Sequence, residues 1–178
     1  MHRDVAAADT MLARLSDMLR ATLDNDGAQE VSLAAELQML AQYLDIMQVR
    51  FADRLTTDID VPEALLTERV PRFILQPLVE NVIRHGIDEA SSTTRVHVVA
   101  SATGHALILR ILDDGRGLPL DEVVREGIGL HNTRRRLERL YSDGASLSVA
   151  NRAQGGVEVT ITLPRRLVGL PSHAKVFA

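Results

Sequence analysis

Two glycine-bearing segments restrict this chain more than any other feature. Asp113-Asp114-Gly115-Arg116-Gly117 follows the apolar run Ala106 to Leu112, and Gly127-Ile128-Gly129-Leu130 opens a helical pattern. Paired glycines let a backbone turn sharply and let another group approach it closely. Upstream, the polar positions of Glu80-Asn81-Val82-Ile83-Arg84-His85 fall on a helix. A strand that ends in a glycine turn, with a glycine-led helix following it, points to layers of helix and sheet.

Composition removes several function classes. With 178 residues, one compact domain and an appendage are expected. Apolar residues make up 46% of the chain, enough for a core. No apolar run approaches about 18 residues, so no membrane span is expected, and no signal peptide is visible. A net charge of −4 argues against nucleic acid as a partner. The absence of Cys excludes disulfides and thiolate metal sites and fits a reducing, cytoplasmic setting. Aromatics at 3% do not suit base-stacking platforms. None of the histidines has metal-ligand spacing.

Apolar periodicity divides the chain. Val5, Ala8, Leu12, Leu15 and Leu19 step by three and four, as do Leu33, Leu37, Leu40, Leu44 and Met47. These narrow stripes predict two helices of coiled-coil or bundle type over residues 1–53. Asp24-Asn25-Asp26-Gly27 forms the turn between them, and Ser32 is a candidate N-cap. Residues 54–165 have a different texture. Leu55 to Val61 alternates as a strand should. A helix is expected from Pro71 to about His85, with Gly86 as its stop. Strands follow at Arg95–Ala100 and Ala106–Leu112 around a hairpin at Thr103-Gly104, then a short helix at Asp121–Arg125. A longer helix is expected over Ile128–Tyr141, with closing strands at Leu147–Asn151 and Val157–Leu163. Residues 166–178 form a short tail. The order predicts an α/β sandwich, a mixed sheet of about five strands with helices on one face.

Three chemical groupings stand out. Asn81, Arg84 and His85, at i, i+3 and i+4, share a helix face, with Glu80 about 100° away. A carboxamide oxygen is a hard ligand suited to Mg²⁺. In isolation such a face is more often simply solvated. Asp113, at the end of an apolar strand, can accept from an amino group such as that of adenine, although an acidic glycine-rich turn explains it equally well. Gly127 and Gly129, before a helix, suit a phosphate cradle made of free N–H groups, with Asn132 and Arg136 further along.

Together, in this order, the three segments resemble the N, G1 and G2 boxes of the GHKL ATP-binding fold. That fold is shared by sensor histidine kinases, type II topoisomerases, Hsp90 chaperones and MutL proteins. Longer stretches resemble the LytS/YehU-type sensor histidine kinases. They are Phe73-Ile74-Leu75-Gln76-Pro77-Leu78-Val79-Glu80-Asn81 with His85-Gly86, Gly127 through Leu137, and Gly155 through Pro164. Tyr43-Leu44-Asp45-Ile46 with Arg50 to Leu55 resembles the family's linker helix. The resemblance implies a Bergerat-type sheet, ATP and Mg²⁺ as ligands, a homodimer and a response-regulator partner. Residue by residue, it implies that Asn81 holds Mg²⁺ and that Asp113 binds the adenine amino group. Gly115, Gly117, Gly127, Gly129 and Leu130 would shape the pocket and lid, with Glu80, Arg84, His85, Asn132 and Arg136 as further contacts. The family moves the ATP γ-phosphoryl to its own histidine and then to a regulator aspartate.

Two departures matter. Val157 stands where the family usually has Thr. The family's acceptor segment, Pro-His-Phe-Leu-Phe-Asn, is absent, and His2 has the wrong neighbours. The expectation is a cytoplasmic catalytic piece of a bacterial kinase that does not phosphorylate itself. The full-length form would be anchored in the membrane through an N-terminal sensor. The alternatives are a nucleotide-binding or dimerisation module without catalysis, and another GHKL enzyme such as an anti-sigma serine kinase. Pro77, where ATP-hydrolysing clamps commonly place a Glu, counts against hydrolysis.

Overall fold

A computed structural model describes residues 29–89, 93–118 and 128–165, without the side chains of residues 85–89 and 128. The expected first helix, the turn at Asp24 to Gly27, the short helix at Asp121–Arg125, Gly127 and the tail lie outside the described residues.

The described chain opens with β1 (Glu30–Ser32) and α1 (Leu33–Phe51). Ser32 caps α1 as its sequence position implies, its hydroxyl accepting from Ala35 N at 3.2 Å. The helix ends where Ala52 takes a positive φ of 45° and sends its N–H back to Gln48. β2 (Leu55–Asp60) and β3 (Arg69–Pro71) follow, then α2 (Gln76–Glu89). β4 (Thr94–Thr103) and β5 (Ala106–Asp113) form the expected hairpin, with Gly104 at φ 55°. α3 (Ile128–Tyr141), β6 (Ser146–Asn151) and β7 (Val157–Pro164) complete the order.

Five strands form one mixed sheet in the order β2-β4-β5-β7-β6. β2 and β4 are parallel, and the other neighbours are antiparallel. A parallel pair cannot be closed by a tight turn, so the chain crosses over through α2 between β2 and β4. The alternation read from the sequence is realised in β5, where Leu107, Leu109, Ile111 and Asp113 point into the core. The three helices share that core with the inward faces of the strands. Leu33, Leu40 and Leu44 of α1, Leu78, Val82 and Ile83 of α2, and Leu137 of α3 meet Val98, Leu109 and Ile161 there.

The structure corrects the helix expected from Pro71. Pro71 lies in β3 and pairs with Glu30 of β1, forming a small second sheet that the sequence pattern did not reveal. A proline lacks an N–H and suits such a short edge position. The helix begins five residues later, and Pro77 occupies its first turn. It also runs past Gly86 to Glu89. One glycine inside a helix costs only about 1 kcal/mol, which flanking packing can offset.

Ile161 is fully buried in β7. Ile161→Ala is expected to lower unfolding free energy by about 2–5 kcal/mol. Ser32→Ala is expected to cost only about 1 kcal/mol. Urea unfolding of both variants checks the ranking; equal losses would contradict it.

Candidate nucleotide site

Strand register determines which groups meet. β5 is antiparallel to β4 and β7, so Asp113 at its end lies beside Val96 and near Val157. β6 pairs Asn151 with Val157 at the same end of the sheet. α3 leads into the start of β6 at the far end, which leaves its first turn at the end occupied by Asp113. Four elements thus deliver their termini to one edge of the sandwich, with α2 packed alongside.

Asp113 is buried, with a relative exposure of 6%. Its Oδ1 accepts from Gly115 N at 2.8 Å and its Oδ2 from Val157 N at 3.2 Å. Burial pushes its carboxyl above the ordinary range. The two backbone N–H bonds act against that rise, as does the charge of Arg152, while Asp114 adds to it. Arg152 also donates to the main-chain carbonyl of Asp113. The backbone of Gly156 passes so close that a Cβ there would lie 2.1 Å from the Asp113 carbonyl oxygen, and Gly156 has φ 81°. Only glycine meets both conditions.

Gly117 has φ 82°, and a Cβ there would lie 2.7 Å from Asn151 Oδ1. That same oxygen accepts from Leu118 N at 2.6 Å, and Asn151 Nδ2 donates to Leu118 O at 3.0 Å. The Asn151 amide thus acts as one extra rung of β-ladder and holds the end of the glycine turn.

Asn81 and Gly129 face each other across α2 and α3. A Cβ on Gly129 would sit 3.0 Å from Asn81 Nδ2. That nitrogen is buried and has no hydrogen-bond partner. Asn81 Oδ1 accepts from Arg84 at 3.3 Å, and Arg84 is exposed. Thr133, one turn into α3, donates its hydroxyl to Gly129 O at 2.9 Å and anchors the first turn.

The structure therefore brings Asn81, Arg84 and Gly129 together, and Asp113, Gly115 and Gly117 together. Leu130 is partly buried against the core. Asn132 is exposed on α3. Glu80 is exposed, and its charge acts on Tyr43 of α1, whose hydroxyl is pushed up to about 12, first by burial and then by Glu80. The side chain of His85 and all of Gly127 lie outside the described residues. Arg136 does not join the grouping around Asn81. It lies two helical turns beyond Gly129, and its guanidinium donates to the carbonyls of Arg72 and Gln29. The sequence reading missed Asn151 and Arg152, which carry no motif, and the role of Gly156, for which the Gly155-Gly156 pair was a signal.

These features test whether a nucleotide with Mg²⁺ fits. A buried acceptor flanked by glycines suits an amino-bearing base. The unpartnered amide nitrogen of Asn81, beside Gly129 with no Cβ, suits a polar ligand. Among the described residues no cluster of three or more His, Asp or Glu side chains could hold a metal. A cation here would therefore depend on ligands brought by phosphates. Among the described residues no helix is long and apolar enough to cross a membrane.

Fold and site define an ATP-binding domain of the kind shared by histidine kinases and GHKL ATPases. Two family profiles match the chain: "Histidine kinase" over residues 1–55, and "Histidine kinase-, DNA gyrase B-, and HSP90-like ATPase" over residues 67–167. The sensor protein LytS of Enterococcus faecalis is 31% identical over 92% of this chain and 30% of its own length. The sensor histidine kinase BtsS of Escherichia coli is 33% identical over 93% of this chain and 29% of its own. The chain thus spans about a third of the length of these relatives. The histidine kinase domain of the blue-light activated kinase from Erythrobacter litoralis superposes with a TM-score of 0.61 at 20% identity, covering 89% of this chain and 74% of that one. The catalytic domain of histidine kinase ThkA gives 0.58 at 14%, covering 76% and 95%. These two likenesses bear on the fold. The chain belongs to the histidine kinase-, DNA gyrase B- and HSP90-like ATPase family, and within it to the LytS-type sensor histidine kinases.

Gly156→Ala is expected to destabilise by more than about 2 kcal/mol, since a backbone clash adds to the left-handed strain. Gly104→Ala meets nothing within 4 Å and should cost only the strain, about 1 kcal/mol. Equal unfolding midpoints would refute the close approach.

Asp113 also makes a signed pH prediction. Its folded pKa is raised from 3.8, so its contribution to stability is complete below 3.8 and is lost as pH rises through the folded value. The stability of wild type relative to Asp113→Asn should therefore decrease with pH across that window. Urea unfolding from pH 3 to pH 7 measures it, and a relative gain on raising the pH would contradict the burial argument.

Proposed function

We propose that this chain is the ATP–Mg²⁺-binding catalytic part of a sensor kinase that passes the γ-phosphoryl of ATP to a histidine and then to an aspartate of a response regulator. The observation that carries the reading is the shared sheet end. A buried, backbone-held Asp113 and the Asn81–Gly129 contact lie on elements that converge there.

In this reading Asp113 recognises the adenine amino group. Its Gly115 and Val157 bonds fix the carboxylate, and outward lone pairs remain for the base. Gly115, Gly117 and Gly156 supply backbone without Cβ beside it. Because the Val157 contribution is its main-chain N–H, the Thr-to-Val departure leaves this bond in place. Gly129 and the first N–H groups of α3 face the phosphates. Asn81 offers its carboxamide oxygen to Mg²⁺, whose charge offsets that of the phosphates. Arg84 releases that oxygen at little cost, being exposed, and adds positive charge nearby. The remaining catalytic task is positioning, because phosphoryl transfer needs an in-line acceptor at near-contact distance.

None of the six histidines of this sequence lies in an acceptor-like segment. The chain alone is therefore expected to bind ATP without labelling itself on histidine. Dimerisation and a response-regulator partner are part of the same proposal, supported by the likeness to sensor histidine kinases.

Calorimetric titration with ATP and Mg²⁺ tests it. Asn81→Ala and Asp113→Asn should each weaken binding by about 10-fold or more, the range of one hydrogen bond to a charged group. Asn81→Ala should leave thermal unfolding of the free protein nearly unchanged, since its amide nitrogen has no partner to lose. Unaltered titration curves for both variants would refute the site.

A further inference from the structure

At the opposite end of the sandwich lies a second buried carboxylate that the nucleotide reading does not use. Glu36, on α1, is 1% exposed. Its Oε2 accepts from Phe73 N at 2.8 Å and its Oε1 from Leu75 N at 2.9 Å. Residues 72–75 form the turn that launches α2, the helix of Asn81. Neither Leu75 nor Ile74 brings a side-chain oxygen to the first turn. Glu36 instead takes the N–H of Leu75, the residue just before the helix, as the Glu of a capping box does from within its own helix, and it takes the N–H of Phe73 as well.

The turn would not hold its shape unaided. Phe73 has φ 56°, a left-handed conformation that a bulky residue rarely adopts. Such backbone persists where its surroundings over-determine it. Here the Glu36 bond seizes the strained N–H itself, and the Arg72 guanidinium covers the Phe73 ring at 5.1 Å.

The other site helix is tied to the same place. Arg136 of α3 donates to the carbonyls of Arg72 and Gln29. Burial raises the Glu36 carboxyl, and the N–H bonds of the turn and, least, the charge of Arg136 act against that rise. Tyr141, at the end of α3, donates to the Glu30 carboxylate. The helices that carry Asn81 and Gly129 are thus both fastened, at their ends away from Asp113, to α1 and the residues just before it.

We propose that Glu36 is a positioning residue, which, with Arg136, transmits the placement of α1 to the spacing between Asn81 and Gly129. The proposal rests on the nucleotide reading of that pair. Glu36→Gln keeps the volume but replaces one acceptor oxygen with a donor, so one of the two turn N–H groups loses its partner. The turn then relaxes and the start of α2 shifts.

The test is a double-mutant cycle on ATP–Mg²⁺ affinity, read by calorimetry on the whole chain. Glu36→Gln alone should weaken binding about fivefold or more. In an Asn81→Ala background its effect should shrink to below about twofold, because the group it positions is gone. In an Asp113→Asn background the effect should remain whole, since that residue sits on a strand end the turn does not touch. A general loss of fold would give the same factor in all three backgrounds, and that outcome overturns the proposal. So does a folded Glu36→Gln chain with unchanged affinity. If Glu36→Gln does not fold, Arg136→Lys decides: it keeps the charge but cannot span both carbonyls. It should show the same dependence on Asn81, and unchanged affinity would overturn the proposal. An Asn81→Ala chain that binds as wild type would instead sink the nucleotide reading, and this inference with it.

Discussion

A carboxylate buried at the end of a sheet needs donors, and most of those around Asp113 are main chain. Gly115 N approaches from the turn that follows its own strand, and Val157 N from the neighbouring strand. Removing a carboxylate from water is expensive unless it is well partnered. That requirement fixes the register of β5 against β7, the tight passage of Gly156 and the direction in which the glycine turn leaves. In the proposed site, the burial that raises the Asp113 carboxyl would also make it selective. With its inner lone pairs occupied, it would meet a ligand as an acceptor in surroundings where an unmatched partner is costly.

The two groupings at the site differ in kind. Around Asp113 the carboxylate and the glycine turn are hydrogen-bonded within the protein. Around Asn81 the polar groups are not all satisfied, because one amide nitrogen is buried without a partner and the oxygen is shared with an exposed arginine. Unsatisfied buried groups are uncommon in folded proteins and call for an explanation. A polar ligand between α2 and α3 provides one. The division suits a nucleotide, whose base is uniform and whose phosphate and metal end is where chemistry and exchange occur.

Much of this was legible in the sequence, because the signals were local. Alternation in Ala106 to Leu112 and Val157 to Leu163 gave strands, Ser32 gave a cap, and Ile128 to Tyr141 gave a helix with the observed bounds. The glycine segments marked close approaches that the structure contains at Gly117 and Gly129. What stayed hidden depends on contacts far apart in the chain. The pairing of Glu30 with Pro71 spans 41 positions and involves strands too short to alternate visibly. Arg136 reads as a further nucleotide contact because it follows a glycine-led helix start. Its partners, Arg72 and Gln29, are 64 and 107 residues away, beyond any local pattern. Asn151 mimics a backbone rung, a role no spacing announces. The helix start was misplaced from Pro71 because Pro77, in the first turn, competes for the same rule.

The organisation of the core bears on how the protein transmits motion. The family profiles divide the chain between residues 55 and 67, yet among the described residues no division runs through the packing. Leu33, Leu40, Tyr43 and Leu44 of α1 are buried in the same cluster as the sheet and the site helices. A helix attached only through a flexible linker could rotate without consequence for the site. This one cannot, because moving it would open a close-packed core and break the bonds of Glu36 to the turn before α2. A displacement of α1 therefore either carries the site helices with it or costs burial and hydrogen bonds together. Packed interiors switch between discrete arrangements more readily than they deform by degrees. A chain built this way would place the proposed nucleotide site under the control of whatever moves α1.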